Sequence, residues 1–228
     1  MTAWIENLRV MEKTRNYNRW IYDRLWPYLG KRVLEAGCGI GTMTEYLTDR
    51  ELLLAIDNSE ECIRYMKSKY GGENPIILKR DLSNESIINL RKYRIDTVVC
   101  INILEHIEDD LRALRYIHAL LEDGGILALM VPAFNILFGT IDKSGLHYRR
   151  YDRRSLDQKL AMAGFDIIKS HYFDLAGIIP WVLHGKILRK SIHPEMGFLD
   201  KFVPIFAFIE KFLTPPVGLS LVYICRKK

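Results

Sequence analysis

The sequence predicts an α/β fold, with a mostly parallel seven-stranded sheet, helices on both faces and an antiparallel last strand. Short apolar runs bounded by turn residues alternate with segments of helical periodicity, which is the pattern of parallel strands joined by crossover helices. The run 95–101 is rich in β-branched residues, as expected for a strand covered on both faces. A glycine cluster directly follows the first apolar run, at the edge where such sheets bind ligands.

The predicted elements follow one another in the order that this fold requires. The predicted strands span 32–35, 52–56, 76–79, 95–101, 126–131, 165–173 and 219–225. The predicted helices span 17–29, 42–49, 59–70, 109–121 and 155–163. Between the last two strands, residues 174–217 form a connection far longer than neighbouring strands need, so we expect an inserted segment of short amphipathic helices there.

Local signals justify the helix boundaries. The first helix places Trp20, Ile21, Leu25 and Trp26 on one face before a glycine ends it. Ser59 suits the N-cap of the helix that follows the second strand. A pair of glycines after residue 123 marks the end of the helix that follows the fourth strand.

Composition and cysteine usage narrow the class of protein. A chain of 228 residues with 49% hydrophobic and 27% charged content is typical of one globular domain. The four cysteines, Cys38, Cys62, Cys100 and Cys225, are scattered without a CxxC pair, so we expect reduced thiols and no metal site. Neither a secretory leader nor a membrane-spanning run is visible, and we therefore expect a cytoplasmic protein.

The glycine-rich segment at the end of the first strand carries the strongest chemical signal. Glycines let the backbone turn sharply and approach a ligand, and a helix starting there would offer free N–H groups to a carboxylate. Glu35 would attract an ammonium group, so the segment suits both ends of an amino acid. Asp57 ends the second strand, where a carboxylate can accept both ribose hydroxyls of a nucleoside. Asp81, after the third strand, can accept a hydrogen bond from an adenine amino group.

These segments resemble the successive motifs of class I S-adenosylmethionine-dependent methyltransferases. The resemblance rests on VLEAGCGIGTMTEYL from Val33, on Asp57, on Arg80-Asp81-Leu82 and on Asn102-Ile103-Leu104-Glu105-His106-Ile107. It implies a Rossmann-like fold with S-adenosyl-L-methionine as cofactor. The cofactor-binding residues it implies are Glu35, Gly37, Cys38, Gly39, Gly41, Thr42, Asp57, Asn58, Asp81, Leu82, Ile101 and Asn102.

Other interpretations of the glycine-rich segment stay open. A nicotinamide or flavin dinucleotide would need Gly or Ala where Thr42 stands, which favours the sulfonium cofactor over a nicotinamide-dependent oxidoreductase. A non-catalytic module that binds S-adenosylmethionine or a membrane is the main alternative to an enzyme. A nucleic-acid acceptor is not expected, because no Asn-Pro-Pro-Tyr motif follows the fourth strand.

The residues closest to the acceptor are expected after the fourth and fifth strands. Methyl transfer needs mainly alignment of donor and acceptor, but a hydroxyl or protonated amine must also lose a proton. The predicted catalytic residues are His147, His106 and Tyr151, with His147 favoured. The segment 142–151 resembles D-x-x-x-G-H-x-R-R-Y of one bacterial and archaeal subgroup, except that Leu146 replaces the glycine before the histidine. Arg149 and Arg150 are expected to bind an acidic group of the acceptor.

The predicted domain organisation is one domain over 1–228. It comprises an N-terminal helical segment (1–30), a cofactor-binding core (31–173), an apolar helical insertion (174–217) and a final strand (218–228). The insertion mixes Trp and Phe with Lys and Arg, which suits a lid over the acceptor, a peripheral membrane contact or a homodimer contact. The expected acceptor is accordingly a small or lipid-linked molecule.

Overall fold

A computed structural model describes residues 3–189 and 200–228 of the chain, with side chains from residue 8 onward. Seven strands form one sheet in the order β3-β2-β1-β4-β5-β7-β6. The strands are β1 (Arg32–Ala36), β2 (Leu52–Asp57), β3 (Ile76–Lys79), β4 (Thr97–Ile101), β5 (Ile126–Pro132), β6 (Phe165–Phe173) and β7 (Ser220–Lys227). Only β7 runs antiparallel to its neighbours, β5 and β6, which confirms the predicted fold class.

Helices cover both faces of this sheet. They are α1 (Ala3–Glu12), α2 (Arg15–Leu25), α3 (Glu60–Lys69), α4 (Asp110–Leu120), α5 (Thr140–Ser144), α6 (Arg153–Met162), α7 (Ile178–Val182) and α8 (Val203–Phe212). A π-helical turn, Leu183–Ile187, continues α7. The predicted N-cap Ser59 accepts a hydrogen bond from the backbone N–H of Cys62, as a helix start requires.

The side chains of each strand point alternately to the two faces of the sheet, and this divides the core into two layers. Leu34 and Val98 point to the face covered by α4 and α6, whereas Val33 and Val99 point to the face covered by α2 and α8. Because successive strand residues face opposite sides, a strand covered on both faces has to be apolar throughout. This is the physical reason for the continuous apolar runs in the sequence.

Three local predictions differ from the structure. The helix expected over 42–49 is replaced by turns and a short 3-10 helix, Thr44–Tyr46. The structure also contains an unpredicted nine-residue 3-10 helix, Glu85–Tyr93. Trp26 is 43% exposed and lies beneath the guanidinium of Arg50, because α2 has already ended at Leu25 and a 3-10 turn rotates the next residue outward.

Two further expectations concern the state of the cysteines and the possibility of a membrane-spanning segment. All four cysteines are buried free thiols. Within 3–189 and 200–228, no helix has the length and apolar character needed to cross a membrane. Part of the predicted insertion, 190–199, lies outside the described residues.

Candidate functional site

The candidate site lies where the direction of strand progression reverses, between β1 and β4. The sheet order places these two strands side by side, and ligands of α/β sheets bind at the carboxyl ends of such a pair. Gly37 follows β1 with φ +73°, and a Cβ there would stand 2.0 Å from Cδ1 of Ile103. The positive φ therefore favours glycine here, and the Ile103 side chain would have to shift to admit a larger residue.

Four N–H groups of the glycine loop already have acceptors in the protein, which corrects the expectation of free donors at a helix start. The N–H groups of Gly37 and Cys38 both donate to the carbonyl of Ile56, and that of Gly41 donates to the carbonyl of Cys38. Because no α-helix follows the loop, a helix dipole cannot favour a carboxylate here. What the loop offers a ligand is its shape and the carboxylates beside it.

Asp57 connects the two strand ends that carry the predicted cofactor residues. One carboxylate oxygen accepts from the N–H of Gly39 at 2.9 Å, and the other accepts from the N–H of Ser59 at 2.8 Å. A carboxylate has about four acceptor positions, so these N–H groups leave Asp57 with capacity for a ligand hydroxyl. Leu8 of α1 lies over this loop, with Cδ1 3.5 Å from the place of a Cβ on Gly39.

Glu35 is a buried carboxyl group at the end of β1. Its Oε2 accepts from the hydroxyl of Thr44 at 2.6 Å, and its side chain is almost completely excluded from solvent. Burial raises the pKa of Glu35 to about 8, although the Thr44 hydrogen bond partly opposes this, and the charge of Asp57 raises it further. A buried carboxyl with this pKa is prepared to ionise when a cation arrives.

The other predicted cofactor residues lie around these two carboxyl groups. Asp81 accepts from the N–H and the hydroxyl of Ser83, and Leu82 is buried beside it in the sequence. Asn102 follows β4 with φ +51°, and its N–H donates to the carbonyl of Met130. Asparagine tolerates this left-handed conformation better than most residues. The remaining residues are Cys38 (buried), Thr42 and Ile101 (half-buried) and Asn58 (exposed).

The predicted acceptor residue His147 belongs to a hydrogen-bonded set that the sequence did not reveal. Its Nδ1 lies 3.0 Å from Oδ1 of Asp142, and Nη1 of Arg150 donates to the same oxygen at 3.1 Å. The other Asp142 oxygen accepts from the N–H of Gly139. Burial would raise the pKa of Asp142, but the His147 hydrogen bond and the Arg150 charge lower it below its usual value. The ionised Asp142 therefore orients Nδ1–H of His147 toward itself and leaves Nε2 as the acceptor.

Two further titratable groups adjoin His147. The rings of His106 and His147 meet edge to face, with centroids 4.6 Å apart. Glu105 is completely buried, and among the described residues neither of its carboxyl oxygens has a hydrogen-bond partner. Burial raises the pKa of Glu105 to about 7, against the lowering effect of His147. Burial and the neighbouring His147 lower the pKa of His106 to about 4, so His106 is neutral at physiological pH.

Glu105, His106 and His147 also have the composition of a metal site, which the sequence did not predict. One ligand atom from each lies within 4.8 Å of the others, and a carboxylate with two imidazoles is a known donor set for divalent transition metals. The same three groups suit proton transfer without an ion. A chelation experiment distinguishes these uses.

Tyr151 and Arg150, which were predicted to lie near the acceptor, are buried in the core. The Tyr151 hydroxyl donates to Asp110 at 2.9 Å, and burial raises its pKa. Arg150 is 1% exposed and donates to the carbonyls of Ala133 and Leu219. Arg149 pairs with Asp110 at 2.9 Å. These side chains fix the segment after β5, and this leaves them few donors for an acceptor.

Sequence reasoning missed Asp142 and Thr44 as members of the site. Asp142 stands five residues before His147 in the quoted segment, so that spacing was the available signal. Thr44 was hidden because the residues after the glycine loop were expected to form a helix, which would have directed its hydroxyl differently. No spacing rule in the sequence connects Thr44 to Glu35.

Comparison with known proteins provides an independent finding. A family profile described as "Methyltransferase domain" matches residues 11–170. The chain is 25% identical over 166 residues, 71% of its length, to an uncharacterized 37.1 kDa protein in transposon TN4556 of Streptomyces fradiae, covering 47% of that protein. It is 29% identical over 99 residues to a ubiquinone biosynthesis O-methyltransferase of Coxiella burnetii, covering 43% of this chain and 42% of the relative. The chain thus spans about half the length of these curated relatives.

Solved structures match over almost the whole chain. A SAM-dependent methyltransferase from Archaeoglobus fulgidus superposes with a TM-score of 0.62 at 16% identity, covering 90% of this chain and 91% of the other. An S-adenosylmethionine-dependent methyltransferase from Mesorhizobium loti superposes with a TM-score of 0.63 at 14% identity, covering 91% and 98%. At these identities the likeness establishes the fold.

Proposed function

The chain belongs to the family of methyltransferase domains, and on that premise we propose that it transfers the methyl group of S-adenosylmethionine to a hydroxyl group of an acceptor. Membership in the family implies S-adenosylmethionine as the cofactor. The observation that carries the proposal is the pair of carboxyl groups at adjacent strand ends, Glu35 and Asp57. Glu35 is buried beside the glycine loop, and Asp57 is bonded to that loop through Gly39.

This pair divides the recognition of the cofactor into two parts. Glu35 would ionise and bind the ammonium group of the methionine moiety, which is a charge-assisted interaction in a site of low dielectric. Asp57 would accept the ribose hydroxyls with the positions left free by Gly39 and Ser59. The remaining predicted cofactor residues, Asp81 and Leu82 at the adenine and Ile101 and Asn102 at the methyl group, are part of the same proposal.

The proposed reaction needs a base, and His147 is its best candidate. Bound S-adenosylmethionine would supply the methyl group, which the acceptor oxygen would take as the carbon–sulfur bond breaks and a neutral thioether is left. The hydroxyl proton passes to Nε2 of His147, whose Nδ1–H is held by Asp142. A base oriented by a carboxylate in this way is the arrangement that activates hydroxyl groups in other enzymes. His106, neutral and edge-on to His147, would help to position the acceptor.

The acceptor class is proposed as a small molecule, with a lipid-linked molecule as the second candidate. The relative from Coxiella burnetii is named an O-methyltransferase of ubiquinone biosynthesis, which supports oxygen as the methylated atom. The second candidate is favoured by the exposed apolar side chains of the insertion 174–217, among them Ile179, Ile187, Phe208 and Phe212. A lid over the acceptor and a homodimer contact are the other proposed uses of that segment.

Calorimetric titration with S-adenosylmethionine and S-adenosylhomocysteine tests the cofactor site. We expect one site with micromolar affinity in the intact chain, and a loss of at least tenfold for Asp57→Asn, which keeps the shape of the side chain but not its charge. Asp166→Asn is the matched control, since Asp166 is exposed on β6 and pairs with Lys228. Equal affinity of Asp57→Asn and the control would contradict the assignment of Asp57.

Glu35 provides a second test that is independent of activity. Because the empty site holds Glu35 with a pKa of about 8, cofactor binding at pH 7 should release a proton, and affinity should rise between pH 6 and 7.5. The proton count follows from binding enthalpies measured in buffers of different ionisation enthalpy. Glu35→Gln should abolish the release and weaken binding by about tenfold or more. Glu45→Gln, an exposed neighbour in the same segment, should behave like the unaltered chain.

The non-catalytic alternative predicts a different pair of results. A module that only binds S-adenosylmethionine would pass both titration tests but release no S-adenosylhomocysteine with any hydroxylated acceptor. A screen that begins with lipid extracts and phenolic compounds, monitored by S-adenosylhomocysteine formation, separates it from the enzyme.

A further inference from the structure

The insertion ends in a helix whose apolar side chains face outward. Helix α8 presents Ile205, Phe208, Ile209 and Phe212 at 58, 66, 46 and 70% exposure. These positions are three and four residues apart, so they form one stripe on the helix surface. The rings of Phe208 and Phe212 contact each other with centroids 5.2 Å apart. We call these four residues the α8 face.

The orientation of α8 is fixed from the opposite side of the helix. Val203 and Ala207 pack against the core layer that contains α2. Glu210 accepts from the N–H groups of Asp174 and Leu175, at 3.3 and 2.8 Å. If α8 rotated so that the α8 face turned into the protein, the N–H groups of Asp174 and Leu175 would lose their acceptor, and the packing of Val203 and Ala207 would be lost. The exposed stripe is therefore a consequence of the fold.

A second acidic residue anchors the start of the same segment. Asp200 accepts from the N–H groups of Asn16 and Tyr17, at 3.0 and 2.9 Å. These N–H groups belong to the first turn of α2, where no intrahelical acceptor exists. Asp200 is buried and thus acts as a remote cap that holds the insertion against the core.

In the described part of the insertion, the charges are segregated by sign. Within 174–189 and 200–217, the three acidic residues, Asp174, Asp200 and Glu210, are all buried. The basic residues of the same ranges, Lys186, Arg189, Lys201 and Lys211, are all exposed. Lys201 and Lys211 flank the two ends of the α8 face. An apolar stripe with a basic border is complementary to a bilayer surface that carries anionic headgroups.

We infer that the α8 face docks the protein on the surface of a bilayer containing anionic lipids. Phe208 and Phe212 would enter the boundary between headgroups and acyl chains, and Lys201 and Lys211 would reach the headgroup charges. This inference goes beyond the proposed reaction and does not depend on it, because it rests on the insertion alone.

Vesicle flotation with the full chain tests the inference. We expect binding to phosphatidylcholine vesicles that contain phosphatidylglycerol, and weak binding to pure phosphatidylcholine. Replacing both rings, Phe208→Ser with Phe212→Ser, should lower the partition coefficient by at least tenfold. Replacing both lysines, Lys201→Gln with Lys211→Gln, should lower it by about fivefold for each charge removed and weaken its salt dependence. Met162→Ser is the matched control, because Met162 is 60% exposed on α6, across the sheet.

Three outcomes would overturn the inference. Binding that does not exceed the vesicle-free background contradicts it directly, as does equal partition of the double Phe variant and the Met162→Ser control. If light scattering shows a dimer that Phe208→Ser with Phe212→Ser converts to monomer, while vesicle binding stays unchanged, then a second copy covers the α8 face. A chain that binds vesicles but not S-adenosylmethionine would instead count against the proposed function alone.

Discussion

At the scale of single residues, Asp142 is the side chain whose replacement tests the proposed base most sharply. Asp142→Asn keeps an oxygen for Arg150 but stops the carboxylate from holding Nδ1–H of His147. The imidazole would then favour the wrong tautomer, and we expect the turnover number to fall by about 10²–10⁴-fold with unchanged cofactor affinity. His147→Gln should cost a similar factor, and the double variant should cost no more than either. Steady-state kinetics with the acceptor found in the screen measures these factors.

The controls for this prediction distinguish a positioning role from a structural one. Asp152→Asn removes a carboxylate that accepts only from Asn135 among the described contacts and should leave turnover unchanged. Losses in Asp142→Asn and His147→Gln that multiply in the double variant would show that the two residues act separately. Activity that disappears with a chelator and returns with a divalent ion would assign Glu105, His106 and His147 to a metal instead.

The sequence predicts the chemical role of a site residue best where that residue stands at the end of a strand. Glu35, Asp57 and Asp81 each follow an apolar run, and the parallel sheet brings such ends to one edge. The burial of Arg150 and Tyr151 was not predictable from the sequence, because charged and hydroxylated side chains are usually exposed. Their burial depends on Asp142, Asp110 and the carbonyl groups that satisfy them, and all of these partners except Asp142 lie 17 or more residues away in the sequence.

At the scale of elements, the loops after β1 and β4 are coupled by one close contact. Gly37→Ala would strain a backbone at φ +73° and bring the new methyl group onto Ile103. We expect a loss of about 1–3 kcal/mol in unfolding free energy from the backbone alone, with a further loss from the collision. Adding Ile103→Ala to the Gly37→Ala chain should remove only the part of the stability loss that comes from the collision. A double-mutant cycle measured by chemical denaturation should therefore give a non-zero coupling energy.

The matched control for that cycle is Gly124→Ala, which also has a positive φ but no neighbour within 4 Å of a Cβ. The loss of unfolding free energy caused by Gly124→Ala should not change when Ile103 is replaced. Full additivity of Gly37→Ala and Ile103→Ala would mean that the two loops do not press on each other.

The order of the strands and helices was predictable from the sequence, whereas the local structure of two connecting segments was not. Helix α4, whose apolar residues recur at helical spacing, and strand β6 are found within a few residues of their predicted bounds. The residues after the glycine loop form a short 3-10 helix in which the Thr44 hydroxyl donates to Glu35. Residues 85–93 form a 3-10 helix that contributes Ile87 and Leu90 to the core, and its short turns carry no clear 3.6-residue period.

At the scale of the whole molecule, the buried carboxyl groups link the site to stability. Glu35 and Glu105 have pKa values of about 8 and 7 in the folded chain, against about 4.3 when unfolded. Between pH 7 and 8 the folded protein holds protons that the unfolded chain does not. Its stability should therefore fall as pH rises through this window, by an amount on the order of 1 kcal/mol.

This loss should be visible as a decrease of about 2–4 °C in the unfolding midpoint of the ligand-free protein between pH 7 and 8, measured by scanning calorimetry. The window excludes the histidines, since unfolded imidazoles are mostly neutral above pH 7 and the pKa of His106 and His171 is lowered to about 4 in the fold. Glu35→Gln and Glu105→Gln should each flatten the slope, while Glu45→Gln should not. A slope that is unchanged in both variants would place the titrating groups elsewhere. Saturating S-adenosylmethionine should remove only the Glu35 share, because the bound ammonium group keeps Glu35 ionised throughout the window.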